Sequence, residues 1–216
     1  MKHLAVLFDL DGTLLNTLQD LADSVNKGLE DLGFPTHNNE EYKKLIGEGR
    51  ENLVFRALPE NHRDIETVHK LLDRLNAEYA IHWADHTQPY QGIPELLDAL
   101  IAKNIKITVL SNKADDLTNT CVSRLLSGWH FTLVAGSRSG VPNKPDPTAS
   151  LQIAKKLDIE PSQFLYLGDS DIDMKTANAA GMFAVGALWG FRSKKELLAS
   201  GAKAVIKHPA DLLNYL

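Results

Sequence analysis

The chain has 216 residues, of which 44% are hydrophobic and 24% are charged, and its formal net charge is -5. This length and composition are typical of a globular protein with one core, or with one core and a smaller inserted unit. The acidic balance argues against a nucleic-acid partner, and no apolar run approaches the roughly 20 residues of a membrane span. The single cysteine, Cys121, excludes an intrachain disulfide and a cysteine metal cluster. The apolar run near the N-terminus is too short for a signal peptide, so we expect a cytoplasmic protein that binds neither nucleic acid nor membrane.

The first apolar run, residues 4–10, leads into two aspartates, Asp9 and Asp11, which are followed by Gly12-Thr13. An apolar run of this length with little alternation predicts a strand that is buried on both faces. Residues i and i+2 of an extended segment point to the same side, so both carboxylates can face one small space. Buried carboxylates need compensation. We therefore expect a hard cation there, or a division of labour between a nucleophile and an acid/base.

The next stretch, up to residue 83, shows only helical patterns, at residues 17–32, 39–46, 50–57 and 64–83. A segment of this length without a strand exceeds a normal connection between a strand and a helix. We predict an inserted α-helical cap domain at residues 16–83, with extra helices packed on the sheet as the alternative. Gly47, Gly49 and Arg50 form a flexible loop that could reach a substrate anion, although a plain turn between helices fits the same residues.

From about residue 90, short apolar runs alternate with helical patterns, which is typical of a parallel sheet with crossover helices. The predicted fold is therefore α/β, with a doubly wound, Rossmann-like parallel sheet core formed by residues 1–15 and 84–216. The predicted strands are residues 105–110, 131–135, 164–167, 183–188 and 204–206, and the predicted helices are residues 94–103, 114–126, 147–157, 171–180, 193–199 and 210–216.

Polar residues follow two further predicted strands. Ser111 and Asn112 come after the run 105–110, and Asp169 and Asp173 come after the run 164–167. Ligands of open parallel sheets bind beyond the carboxyl ends of the strands, so these groups should lie near the first aspartate pair. If a helix begins at once, Asp169 and Asp173 share one of its faces. Any one of these residues alone could simply be a helix cap or turn residue.

The residue types at this edge fit phosphate chemistry. The four aspartates form an all-oxygen ligand set, which suits Mg2+ better than zinc or copper. Ser111 and the backbone amide of Asn112, placed before a predicted helix, could hold an anion. Lys144, next to a proline, would supply a fixed positive charge.

At these residues the chain resembles the haloacid dehalogenase superfamily of phosphohydrolases. Residues 9–14 resemble its first motif, Ser111-Asn112 its second, residues 144–147 its third and residues 168–173 its fourth. The predicted helical insert resembles the small α-helical cap of that family. Residues 111–113, 89–94 and 188–191 further resemble the phosphoglycolate phosphatase branch, whereas the loop 136–143 lacks the acidic residues expected there.

The resemblance implies a Mg2+-dependent phosphatase that hydrolyses a small phosphorylated metabolite, such as phosphoglycolate, through an aspartyl phosphate. Asp9 would be the nucleophile and Asp11 the general acid and base. The implied metal ligands are Asp9, Asp169 and the backbone carbonyl of Asp11, with Asp173 supporting them. The residues implied to bind the substrate phosphate are Thr13, Ser111, Asn112 and Lys144, and the implied cap residues are Gly47, Gly49 and Arg50.

Other functions fit the same scaffold. A sugar phosphomutase of the beta-phosphoglucomutase type would return the phosphoryl group to its substrate, and a pyrophosphatase or nucleotidase would differ only in the leaving group. A non-enzymatic switch phosphorylated on aspartate fits less well, because Asp11 supplies a base that would hydrolyse the phosphoaspartate. Both a monomer and a homodimer are compatible with the sequence.

Overall fold

The structure is a computed structural model that describes residues 2–216. Its strands are β1 (Ala5–Phe8), β2 (Leu15–Asn16), β3 (Gln88–Pro89), β4 (Lys106–Ala114), β5 (Leu133–Ser137), β6 (Phe164–Gly168), β7 (Phe183–Ala187) and β8 (Ala204–Ile206). Its α-helices are α1 (Leu18–Asp31), α2 (Asn39–Leu45), α3 (Arg50–Ala57), α4 (Ile65–His82), α5 (Ile93–Ala102), α6 (Asp115–Leu125), α7 (Thr148–Leu157), α8 (Asp171–Ala179) and α9 (Lys194–Ala199).

The chain forms two compact units. The first contains the chain up to Leu15 together with Pro89–Leu216, and the second is Asn16–Gln88. The second unit extends beyond the predicted boundary at residue 83, because the segment after α4 stays bound to α1. The carboxylate of Asp20 in α1 accepts hydrogen bonds from the backbone N–H of His86 and Thr87, at 2.9 and 2.8 Å.

The first unit is built on a six-stranded sheet with the order β5-β4-β1-β6-β7-β8, and every neighbouring pair is parallel. This confirms the predicted doubly wound sheet. Phe8 of β1 is in register with Val109 of β4 on one side and with Leu167 of β6 on the other. The strand order reverses at β1, which is where ligands of such sheets bind.

The core of this unit lies between the sheet and its helices. Alternate residues of the buried strands face the same helix layer. One apolar cluster combines side chains of β1 and β6 with side chains of α7 and α8, including Leu7, Tyr166, Ile153 and Met174. The packing of both sheet faces explains why these strands are continuously apolar in sequence.

Three predicted elements show the largest differences from the structure. The strand predicted to end at residue 110 continues to Ala114, with an irregular register against β5 after Leu110. The strand predicted at residues 131–135 is β5, Leu133–Ser137. It reaches Ser137 because it pairs with the extended β4. The predicted C-terminal helix at residues 210–216 is a 3-10 helix, Pro209–Tyr215. Seven residues are too few for an apolar pattern to distinguish the two helix types.

The second unit contains α1 to α4 and a short 3-10 helix, Glu60–His62. Apolar residues of α1, such as Val25 and Leu29, are fully buried, as are Leu71 and Leu75 of α4. Gly28 lets these two helices approach closely, since a Cβ there would lie 2.8 Å from Leu71 Cδ1. Among residues 2–216, no helix has both the length and the apolar character needed to cross a membrane.

Candidate active site

Asp9 directly follows β1 and is 6% exposed. Its backbone N–H donates to the carbonyl of Leu167 in β6, at 2.9 Å, so the sheet pairing continues through the first site residue. Gly12 then turns the chain with φ +87°, a conformation that side-chain-bearing residues rarely adopt, and its N–H donates to the Leu15 carbonyl at 2.8 Å. Asp9 is therefore held by the sheet, and the chain leaves the sheet at the turn that contains Gly12.

Lys144 lies at the centre of the site and is buried. Its ammonium group donates to Asp9 Oδ1 at 2.6 Å, to Asp173 Oδ1 at 2.7 Å and to the Leu110 carbonyl at 3.2 Å. The side-chain amide of Asn112 binds the backbone of Lys144 in both directions, at 2.9 and 3.0 Å. An ammonium group has three N–H donors, so these protein contacts occupy all of them. Asn112 thus acts through its side chain on Lys144.

Asp173 is fully buried and has two sets of partners. Its Oδ1 faces Lys144, while its Oδ2 accepts hydrogen bonds from the Ser170 N–H and hydroxyl, at 3.1 and 2.6 Å. Ser170 and Asp173 thereby form the capping box that begins α8. Asp169 precedes the helix, so the expectation that Asp169 and Asp173 share a helix face is wrong. They approach one another through the turn between β6 and α8.

Asp169 is 1% exposed and is held from two sides. Its Oδ2 accepts a hydrogen bond from the Phe191 N–H at 2.7 Å, and its Oδ1 accepts one from the Thr13 hydroxyl at 3.4 Å. The carboxylates of Asp9, Asp169 and Asp173 each bring one oxygen within 4.8 Å of the others. Burial and the neighbouring Asp173 carboxylate raise the pKa of Asp169 to about 7. The same two causes raise the pKa of Asp9, although Lys144 opposes them.

This cluster can hold a hard divalent cation. Its donors are all carboxylate oxygens, and the ammonium group of Lys144 contacts two of the three carboxylates, Asp9 and Asp173. Burial is the first cause of the raised pKa values of Asp9 and Asp169, and the second is the excess of negative charge in the cluster. A bound cation would reduce this excess of negative charge. Asp173 is the third carboxylate of the cluster. The third predicted metal ligand is a different group, the backbone carbonyl of Asp11.

The carboxylate of Asp11 is bound to Lys113, a residue outside the predicted site. Lys113 Nζ lies 2.9 Å from each oxygen of Asp11, and its side chain is 3% exposed. Lys113 is placed at the site by the extension of β4, which the sequence does not predict. Ser111 and Lys113 are two residues apart in an extended segment and share a side. Ser111 and Asn112 lie within β4, and α6 begins at Asp115, one residue after its predicted start.

The remaining candidates lie in two places. Ser111 and Asn112 line one small cavity with Lys144. In the helical unit, Gly49 precedes α3 with φ +87°, and Arg50 Nη1 donates to Asn76 Oδ1 at 2.6 Å. Gly47 lies on the same loop with φ +131°. Arg50 thus has a partner within its own unit.

Comparison with known proteins decides the family. Residues 6–187 match the family model described as haloacid dehalogenase-like hydrolase. The chain belongs to the haloacid dehalogenase-like hydrolases. This confirms the resemblance of the four motifs, and family membership makes the chain a hydrolase.

Relatives within the family cover almost the whole chain. A phosphoglycolate phosphatase of Chromobacterium violaceum is 32% identical, in an alignment that covers 100% of this chain and 98% of the relative. A phosphoglycolate phosphatase of Aquifex aeolicus is 30% identical and covers 98% of this chain and 95% of its own. A crystal structure from Lactobacillus delbrueckii subsp. bulgaricus, of a protein provisionally assigned as a phosphoglycolate phosphatase, superimposes with a TM-score of 0.94 at 30% identity. The alignment covers 100% of this chain and 98% of that one.

Proposed function

We propose that this haloacid dehalogenase-like hydrolase is a phosphatase that acts on a small phosphomonoester, with Asp9 as the nucleophile. The observation that carries the proposal is the pairing of Asp9 with Lys144. A carboxylate at a strand end, held at 2.6 Å by a buried ammonium group, has one oxygen tied down and the other left for attack. The identity to phosphoglycolate phosphatases makes phosphoglycolate the first substrate to test.

The reaction would proceed in two displacements. An oxygen of Asp9 attacks phosphorus and the bond from phosphorus to the leaving oxygen breaks, which forms an aspartyl phosphate. Asp11 gives its proton to the leaving alkoxide, and afterwards takes one from the water that attacks the phosphoaspartate. The second attack returns Asp9 and releases inorganic phosphate. Lys113, at 2.9 Å from both oxygens of Asp11, would hold that side chain in place between the two proton transfers.

The other residues of the site would control charge and position. Lys144, held by Asp173 and Asn112, keeps Asp9 oriented and offsets negative charge near the phosphoryl group. Ser111 and the backbone of Asn112 are proposed to bind the phosphoryl oxygens, whereas Thr13, also predicted to bind them, donates its hydroxyl hydrogen to Asp169. Asp9, Asp169 and the Asp11 carbonyl would hold Mg2+, with Asp173 beside them. When bound, the ion would supply electrostatic stabilisation of charge on the phosphoryl group.

We also propose that the helical unit serves as a cap domain and selects the leaving group. Its loop with Gly47, Gly49 and Arg50 is the first candidate for contact with the substrate. Arg50 is a permanent cation, which suits a substrate with a second anionic group such as a carboxylate. Arg50→Ala is then expected to raise KM for phosphoglycolate more than for an uncharged phosphomonoester.

The test is phosphate release from a panel of substrates by wild type and by Asp9→Asn, with Mg2+ and with EDTA. The panel contains phosphoglycolate, hexose phosphates, nucleotides and pyrophosphate. We expect Mg2+-dependent release that the variant loses, while its circular dichroism and melting temperature stay close to wild type. Turnover by Asp9→Asn near the wild-type rate would refute the nucleophile assignment.

The same panel separates the alternatives. Isomerised sugar phosphate without net phosphate release would indicate a mutase, and a preference for pyrophosphate or nucleotides would replace the proposed substrate class. A phosphoprotein that survives for hours after removal of a phosphate donor would indicate the aspartate-phosphorylated switch.

A further inference from the structure

The segment after β7, residues 188–191, packs against the site although none of the proposed chemistry uses it. β7 neighbours β6 in the parallel sheet, with Gly186 in register with Gly168. The carboxyl ends of neighbouring parallel strands lie at the same edge, so the segment after β7 runs beside Asp169. Its sequence, Leu188-Trp189-Gly190-Phe191, is one of the stretches that the four motifs leave out.

The segment makes three close contacts with the site. The Phe191 N–H donates to Asp169 Oδ2 at 2.7 Å, and Trp189 Nε1 donates to the Thr13 carbonyl at 3.0 Å. Between them, Gly190 passes so near that a Cβ there would lie 2.5 Å from the Gly12 carbonyl and would overlap the side chain of Asp169. The segment therefore joins the turn after Asp9 to the carboxylate after β6.

We propose that Trp189, Gly190 and Phe191 are positioning residues that hold Asp169 ready for the metal, an inference that rests on the proposed function. The Phe191 N–H and the Thr13 hydroxyl each take one lone pair of Asp169. A carboxylate has about four such positions, so two stay available for a cation. Hydrogen bonds behind a metal ligand set its orientation, and their loss typically weakens metal binding by about 10- to 100-fold.

Gly190 is required by space. The backbone of Gly190 can reach Asp169 only because it carries no side chain, and a methyl group would displace either Asp169 or the Gly12 turn. Its Cβ would meet backbone and a buried carboxylate, neither of which can move away cheaply. Gly128 offers a matched control, since a Cβ there meets nothing within 4 Å.

The test is direct binding of Mn2+, followed by electron paramagnetic resonance, to wild type, Gly190→Ala, Trp189→Phe and Gly128→Ala. Trp189→Phe keeps an aromatic ring, removes the donor to Thr13 and makes the side chain smaller. We expect Gly190→Ala to bind Mn2+ about 10- to 100-fold more weakly, Trp189→Phe several-fold more weakly, and Gly128→Ala like wild type. Phosphatase activity of the first two variants should return as Mg2+ is raised, so that the Mg2+ requirement shifts more than kcat.

Each outcome decides something different. Folded Gly190→Ala and Trp189→Phe that bind Mn2+ as tightly as wild type would overturn this inference and leave the phosphatase proposal intact. If Gly190→Ala does not fold, Trp189→Phe decides alone by the same measure. A wild type that binds no Mn2+ and needs no metal for turnover would overturn the metal-dependent function, and with it this inference.

Discussion

Replacement of Lys144 by methionine tests the central ion pairs of the site. Methionine keeps most of the volume of the side chain and removes the ammonium group. Asp9 and Asp173 are then left buried with no counter-charge, although each had an ammonium contact of 2.6 or 2.7 Å. Removal of one partner from a buried ion pair typically costs about 3–5 kcal/mol. We expect the free energy of unfolding to fall by about this amount at pH 7.5 in EDTA.

The loss should depend on pH in a defined direction. Burial and the Asp173 carboxylate raise the pKa of Asp9, and without Lys144 the ammonium group that opposes them is gone, so the protonated form of Asp9 is favoured further in the folded state. The folded variant then binds more protons than the unfolded chain, so its stability falls as the pH rises. The deficit relative to wild type should therefore be larger at pH 8 than at pH 5.5.

Urea denaturation of both proteins in EDTA at these pH values measures the effect. Lys175→Met is the matched control, because Lys175 forms the same contact with Asp171, at 2.6 Å, but on the surface. It should cost no more than about 1 kcal/mol. The double variant Lys144→Met with Asp173→Asn should regain part of the lost stability and none of the lost activity. If Lys144→Met is as stable as Lys175→Met at every pH, the buried ion pairs of Lys144 do not contribute the predicted free energy of unfolding.

Three further variants test other contacts. Lys113→Met should lower kcat at least about tenfold with little change in KM, since Asp11, the proposed acid and base, loses its fixed position, and unchanged kcat would contradict this role. Asp20→Asn should destabilise the protein by about 1.5–3 kcal/mol at pH 7. Burial alone would raise the pKa of Asp20, but hydrogen bonds from residues 86–87 lower that pKa in the folded state. The stabilisation by the Asp20 carboxylate is therefore complete above the unfolded pKa, and it is lost as the pH falls through the lower folded pKa. Thermal melts between pH 7 and 3 should show the difference from wild type shrink, and a constant difference would refute the explanation. Gly168→Ala should lower both activity and melting temperature, because its Cβ would lie 2.6 Å from Asp173 Oδ2, and a fully active, equally stable variant would show that the capping box tolerates the methyl group.

Local patterns were sufficient to predict most strands and helices of the sheet unit, since the apolar pattern of each segment shows which of its faces is buried. They were weaker where a neighbour decides. The extension of β4 through Ser111 to Ala114 carries polar residues that predict a loop, and pairing with β5 keeps them in the sheet. The Asp20 contacts that draw His86 and Thr87 into the helical unit join residues 66 and 67 positions apart, beyond the reach of any local pattern.

The candidate site divides in the same way. Asp9, Asp11, Lys144 and Asp169 stand out in sequence because carboxylates and a lysine at the ends of apolar strands need a chemical reason. Lys113, Trp189 and Gly190 lie in stretches that only resemble the phosphoglycolate phosphatase branch, and their roles stay hidden because a strand lysine or a loop glycine is ordinary until its partner is known.

The sequence by itself therefore determined the α/β class, the parallel sheet, the helical insert and the chemical character of the edge where the aspartates gather. Only the tertiary structure decided which charges are paired. Lys144 meets Asp9 and Asp173 across 135 and 29 residues of chain, and Lys113 meets Asp11 across 102. Burial determines how strongly such pairs act, because water no longer screens them. The distance between two charged groups and the dielectric around them depend on the folded chain, so the sequence alone does not give them.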